Sequence, residues 1–72
     1  MTQFVRVFVN KEYLINVANV HIECGNNGIS FIKPTGSEIV VFPTKNFGEA
    51  EEKFSKIVDF ISAGEDKVFY LY

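Results

Sequence analysis

The stretch "KVFYLY", Lys67–Tyr72, closes the chain with five consecutive apolar or aromatic residues, and its reading decides the fold. Chain termini are usually polar and frayed. A segment this rich in Val, Phe, Tyr and Leu has strong β-propensity and is expected to be packed against something. It alternates Val68, Tyr70 and Tyr72 against Phe69 and Leu71, the period-two pattern of a strand. The reading is a sixth strand over about residues 67–72, laid on a sheet edge. An unpaired edge strand invites aggregation, so the segment either covers an edge of its own sheet or pairs with a second copy. The sequence leaves both alternatives open.

Immediately before it lies a helical pattern. Ala50, Phe54, Ile57, Val58 and Ile61 follow the i, i+4, i+7, i+8, i+11 spacing of one apolar face. Asn46 reads as the N-cap, with Glu49 three residues on as the partner of a capping-box-like pair. Glu49, Glu51 and Glu52 sit where the helix dipole favours negative charge. Gly64 is placed to end the helix as a left-handed C-terminal glycine. Phe47 shares the stripe of Phe54 and is expected beneath the first turn, with Phe60 on the flank. The helix is therefore expected over about residues 46–63.

The first forty-odd residues read as short strands. "QFVRVFVN" sets Val5, Val7 and Val9 on one face and Phe4, Arg6 and Phe8 on the other. "NKE" is a tight turn, "YLINV" a second strand, and "AN" breaks it. "VHIEC" is a third strand, with Val20, Ile22 and Cys24 inward. "GNNG" is the strongest turn signal, since Gly and Asn tolerate positive φ. "ISFIK", the turn "PTGS" and "EIVVF" complete the set. Short strands joined by short turns imply an antiparallel meander or a small barrel.

Composition narrows the function. A chain of 72 residues makes one domain, here residues 1–72, and buries only roughly 60% of its unfolded surface. Domains this small often lean on disulfides, metals or oligomerisation. Cys24 is the only cysteine and His21 the only histidine, so an internal disulfide and an ordinary zinc set are both excluded. Oligomerisation is left, and 47% apolar residues with eight Phe and three Tyr agree with it. The net charge is −2, and the seven basic residues are scattered rather than in a run, which argues against nucleic acid. The sequence shows neither a basic segment leading into an apolar one nor an apolar run near the ~18 residues of a span. With a lone cysteine, this points to the cytoplasm and away from membranes.

The chemistry-bearing residues do not assemble a catalytic pattern. His21 and Glu23 share a strand face and could exchange a proton or supply half a metal site, but a solvated pair is the simpler account. Cys24 and His21 have odd spacing and face opposite sides, so a Cys–His dyad is not expected. Cys24 reads as a small apolar residue. "CGNNG" joins two strands, whereas a phosphate-cradling loop leads into a helix. Glu49, Glu51, Glu52 and Asp59 read as a solvated helix face with Lys53 and Lys56. The expectation is a non-enzyme without cofactor or metal.

The aromatic residues exceed what one small core can absorb, and exposed aromatic patches mark binding sites. The candidate interaction residues are Phe4, Phe8, Phe60, Phe69, Tyr70, Leu71 and Tyr72. The leading expectation is a protein-binding regulator or inhibitor of bacterial or phage type, acting as a homodimer, by association with other small standalone domains. The alternative is an oligomeric nucleotide binder with pockets at subunit interfaces. Aromatics would stack the base, and Arg6, Lys33 and Lys67 are the candidate anion contacts. A nucleic-acid-binding domain is the third reading.

Residues 4–54 resemble the small all-β core of the LytTR-type bacterial regulators and of short FlbD-like proteins. The resemblance rests on "EYLINVANVHIE" (residues 12–23), "ISFIKPTGSEIVVF" (29–42) and the helix opening "EAEEKF" (49–54). It implies a small β core followed by a helix. LytTR domains carry a basic, aromatic segment after the helix that contributes to DNA contact, and this chain has acidic "GED" before "KVFYLY". The resemblance thus implies the fold and carries no functional residue over.

The fold class expected is α+β: a five-stranded antiparallel meander or SH3-like partly open barrel, one helix and a C-terminal sixth strand. The expected core is Val5, Val7, Val9, Leu14, Val20, Ile22, Ile29, Phe31, Val41, Phe54, Ile57, Val58 and Ile61.

Overall fold

The structure is a computed structural model that describes residues 3–64 and 67–72. The acidic pair Glu65 and Asp66, on which the departure from the LytTR pattern rests, lies outside them. The elements run β1 (Phe4–Val9), β2 (Lys11–Asn16), a 3-10 turn (Val17–Asn19), β3 (His21–Gly25), β4 (Gly28–Ile32), β5 (Glu38–Pro43), α1 (Phe47–Ala63) and β6 (Val68–Leu71). The class is α+β: the described residues form six strands in two open sheets and one helix.

One sheet has the order β2-β1-β6 and the other β3-β4-β5. The five strands expected in one meander are therefore divided. The break falls at "VAN". The Asn16 side chain accepts a hydrogen bond from Ala18 N at 2.9 Å and caps the 3-10 turn. That turn carries the chain out of the first sheet before β3 begins. The question raised by "KVFYLY" is answered within the chain: β6 pairs parallel to β1, with Val5 opposite Phe69 and Val7 opposite Leu71.

The inner faces of the two sheets and one side of α1 meet in a core of Val5, Val7, Ile15, Ile29, Phe31, Val40, Phe42, Ala50, Ile57 and Leu71. Helix α1 packs on β3, β4 and β6. Four expected core residues lie elsewhere. Leu14 is 62% exposed, and Val41 is half-buried on the outer face beside Ser30. Register is the cause, because residues opposite each other in a ladder share a face. Val5 opposes Ile15 and Val7 opposes Tyr13, which turns Leu14 outward beside Arg6. Phe31 opposes Val40 and Ile29 opposes Phe42, which turns Val41 outward. Val58 and Ile61, with Phe47, are exposed because the helix buries only the narrow stripe centred on Ala50 and Ile57.

Turn chemistry differs from expectation in two places. In the β3–β4 turn neither asparagine has positive φ; Gly28 carries it, at 137°. Between β1 and β2 a single residue, Asn10 at φ 65°, reverses the chain, so β2 starts at Lys11 rather than Tyr13.

Both helix ends are satisfied as the sequence implies. Asn46 Oδ1 accepts from Glu49 N at 2.8 Å, and Glu49 Oε1 accepts from Lys45 N at 3.1 Å. Gly64 takes the left-handed conformation and donates to Ile61 O at 3.2 Å. Gln3, buried at 9% exposure, adds a tether: its Nε2 donates to Phe60 O at 3.0 Å, one of the carbonyls a helix C-terminus leaves without a partner. Replacing Asn46 with Ala removes the N-terminal cap and is expected to cost about 1 kcal/mol. A lower urea midpoint at unchanged slope checks this; an unchanged midpoint would mean that the cap adds nothing.

Candidate interaction surface

The outer face of the β2-β1-β6 sheet is assembled by alternation. If Val5, Val7, Ile15, Phe69 and Leu71 point inward, then Phe4, Arg6, Phe8, Glu12, Leu14, Val68, Tyr70 and Tyr72 must point the other way. No described element covers them. Half-solvated antiparallel sheets normally carry polar residues on the open face. Here Phe8 is 54%, Leu14 62%, Val68 39%, Tyr70 53% and Tyr72 77% exposed. Five large apolar side chains on one three-stranded face form the kind of patch that marks association.

An ion pair sits in the middle of the face. Arg6 Nε donates to Glu12 Oε2 at 3.1 Å, and Nη2 reaches the same oxygen. The guanidinium also lies over the Tyr70 ring, 5.4 Å from its centroid. Glu12 first, and the Tyr70 phenol second, push the Arg6 pKa above its ordinary value. The trio of Arg6, Glu12 and Tyr70 separates two shallow hollows. One, of about 390 Å³, is completed by Phe8 and Tyr72. The other, of about 410 Å³, is completed by Tyr13, Leu14 and Val68. A smaller hollow of about 160 Å³ lies where α1 meets β6, lined by Lys53 and Lys56.

The residues singled out from sequence separate by face. Phe8, Tyr70 and Tyr72 gather on the outer face around Arg6, with half-buried Phe4 at its edge. Leu71 is 3% exposed and belongs to the core, which corrects its assignment as an interaction residue. Phe69 also points inward, and its ring meets Phe60 at 5.5 Å between centroids. These two seal the junction of β6 with α1 and are half-buried. Lys33 sits in the β4–β5 turn, where its N–H donates to Ser37 O, and so belongs to the other sheet. Lys67 precedes β6, and its carbonyl accepts from Phe4 N at 3.3 Å. Leu14, Glu12 and Val68 join the face without having been singled out. The signal that finds them is the β1–β2 and β1–β6 register, which a single strand does not carry.

The remaining polar groups are arranged as on a solvated surface. His21 Nε2 and Glu23 Oε2 lie 3.0 Å apart on the outer face of the second sheet, both well exposed. Cys24 is half-buried against the core; desolvation, then the nearby Glu51 carboxylate, raise its thiol pKa, which disfavours the thiolate. Among the described residues no three His, Cys, Asp or Glu side chains converge as a metal site. Nor is any described helix long and apolar enough to cross a membrane. Comparison with protein-family models, with curated proteins and with solved structures finds no match for this chain.

Proposed function

We propose that this chain is a non-enzymatic interaction protein that self-associates through the outer face of the β2-β1-β6 sheet. One observation carries the reading: Phe8, Leu14, Val68, Tyr70 and Tyr72 are exposed together on one uncovered sheet face. Removing apolar surface from water is worth roughly 25 cal/mol per Å², so a face built this way gains by being covered. The Arg6–Glu12 pair at its centre is internally neutralised, so a like surface is not repelled. A small domain with a limited core gains stability from such a contact.

The nucleotide reading draws on Arg6 over Tyr70, but the Arg6 guanidinium is already engaged by Glu12. A phosphate would have to displace that carboxylate. Lys33 lies on the other sheet, which leaves self-association the better supported reading. The finer description of the fold as an SH3-like partly open barrel of the LytTR or FlbD kind belongs to this proposal, as do a cytoplasmic setting and a regulatory role of bacterial or phage type. The chain reversals and the helix after β5 support the first; the single cysteine supports the second.

The double substitution Tyr70→Ser, Tyr72→Ser tests the reading, because both side chains point away from the core. The expected result is a folded chain whose dimer is weakened by about tenfold or more, as loss of aromatic anchors at an interface commonly costs about 2 kcal/mol. Sedimentation at several concentrations measures it. Unchanged mass in the variant would count against this face.

A further inference from the structure

We infer that the second copy docks with its two-fold axis along the Phe8–Leu14 diagonal of the β1–β2 ladder, so that Arg6 and Glu12 exchange partners between copies; this rests on the self-association proposed above. The register supplies the geometry. Arg6 opposes Leu14, and Phe8 opposes Glu12. The alternation puts all four side chains on the outer face, at the corners of one small quadrilateral. The charges occupy one diagonal and the apolar pair the other.

A closed dimer of two identical faces must be self-complementary: wherever residue i meets j, j meets i. Two sheets stacked face to face are related by an axis lying in the plane between them. If that axis runs along the apolar diagonal, Phe8 meets Phe8 and Leu14 meets Leu14 of the second copy. The axis then crosses the line joining Arg6 to Glu12 near its middle, so each Arg6 comes over the other copy's Glu12. Four charges of alternating sign close a neutral ring. An axis along the charged diagonal would instead set Arg6 on Arg6 and Glu12 on Glu12, which like-charge repulsion forbids. The side chains of Arg6 and Glu12 are 42% and 52% exposed, so both can turn from their present contact to bridge the copies.

The test uses charge-reversed chains and their mixture. Arg6→Glu alone gives a copy with two carboxylates at the site, and Glu12→Arg alone gives a copy with two guanidinium groups. Each homodimer would then bring four like charges together, and each variant is expected to be monomeric at concentrations where the unaltered chain is dimeric. An equimolar mixture restores the ring as a heterodimer and is expected to return to dimer mass. In it, the carboxylate placed at position 6 of one variant faces the guanidinium placed at position 12 of the other. The Glu12 that the first variant keeps faces the Arg6 that the second keeps.

The axis residue supplies an independent pair. Leu14→Asp and Leu14→Lys should each dissociate the dimer, because position 14 meets itself, and their mixture should reassociate. Leu14 is exposed, so this pair reports even if a reversal at Arg6 harms folding. A dimeric unaltered chain whose variants stay dimeric, or whose mixtures stay monomeric, overturns this arrangement and leaves self-association standing. An unaltered chain that is monomeric throughout overturns both.

Discussion

A chain that ends at Asp66 is expected to lose its cooperative fold at room temperature. The deletion removes β6, whose two faces have different roles. The inner face contributes Leu71, which is 3% exposed, and Phe69, which packs on Phe60 and against the core. Burying a Leu or Phe side chain is worth about 1.5–3 kcal/mol. The deletion also strips β1 of its parallel partner along Phe4–Val7 and opens Val5 and Val7 to water. Leu71 and Phe69 alone account for about 3–6 kcal/mol, and exposure of Val5 and Val7 adds to that, against a total of roughly 4–11 kcal/mol expected for 72 residues. Circular dichroism with a thermal melt reads the result. A truncated chain that melts like the full one would mean that β6 adds no stability to the sheet. The contrast with Tyr70→Ser, Tyr72→Ser is informative: the same strand altered on its outer face should leave the melt nearly unchanged at low protein concentration.

The second large effect is expected at Gly28. Its φ of 137° lies in a region that residues with a side chain rarely adopt. A methyl group there would lie 2.0 Å from the Phe42 carbonyl oxygen and 2.9 Å from its carbon, both backbone atoms of β5. Strain of about 1–3 kcal/mol from the dihedral alone would be joined by displacement of β5 from β4. Gly28→Ala is therefore expected to destabilise by about 3 kcal/mol or more, enough to unfold a marginal domain. Gly36 provides the control. Its φ is 96°, yet a methyl group at that position would find nothing within 4 Å. Gly36→Ala should cost only the backbone strain. Urea midpoints for the two variants measure the difference, and equal midpoints would contradict the close approach at β5.

Local signals in the sequence located most of the elements. The period-two runs, the helical stripe, Asn46 and Gly64 each correspond to an observed strand, helix or cap. What they could not supply was phase in runs with consecutive apolar residues. "YLI" and "IVVF" can each be alternated in two ways, and only the partner strand decides. Val5 decides for Ile15 over Leu14; Ile29 and Phe31 decide for Phe42 and Val40 over Val41. The division into two sheets was equally non-local. "AN" reads as a break, which the structure begins one residue earlier at Val17, but whether β3 returned to β2 depended on the 3-10 turn that Asn16 caps.

The candidate face was legible in the sequence only in part. An excess of aromatics showed that some must lie outside the core. Alternation within "VFYLY" separated Tyr70 and Tyr72 from Phe69 and Leu71, but did not say which set faced water. The parallel pairing of β6 with β1 settled that, by placing Leu71 beside Val7 and Tyr70 beside Arg6. Leu14 entered the face for the reason it left the expected core. The corrected residue thus lies on the proposed axis.

The most direct test is the mass of the unaltered chain in solution, measured by light scattering over a wide concentration range. The account predicts a reversible dimer, twice the 8.2 kDa of one chain, that shifts toward monomer on dilution. A mass of one chain at every concentration would contradict it, because the five exposed side chains of the β2-β1-β6 face would then be left in water without a second copy.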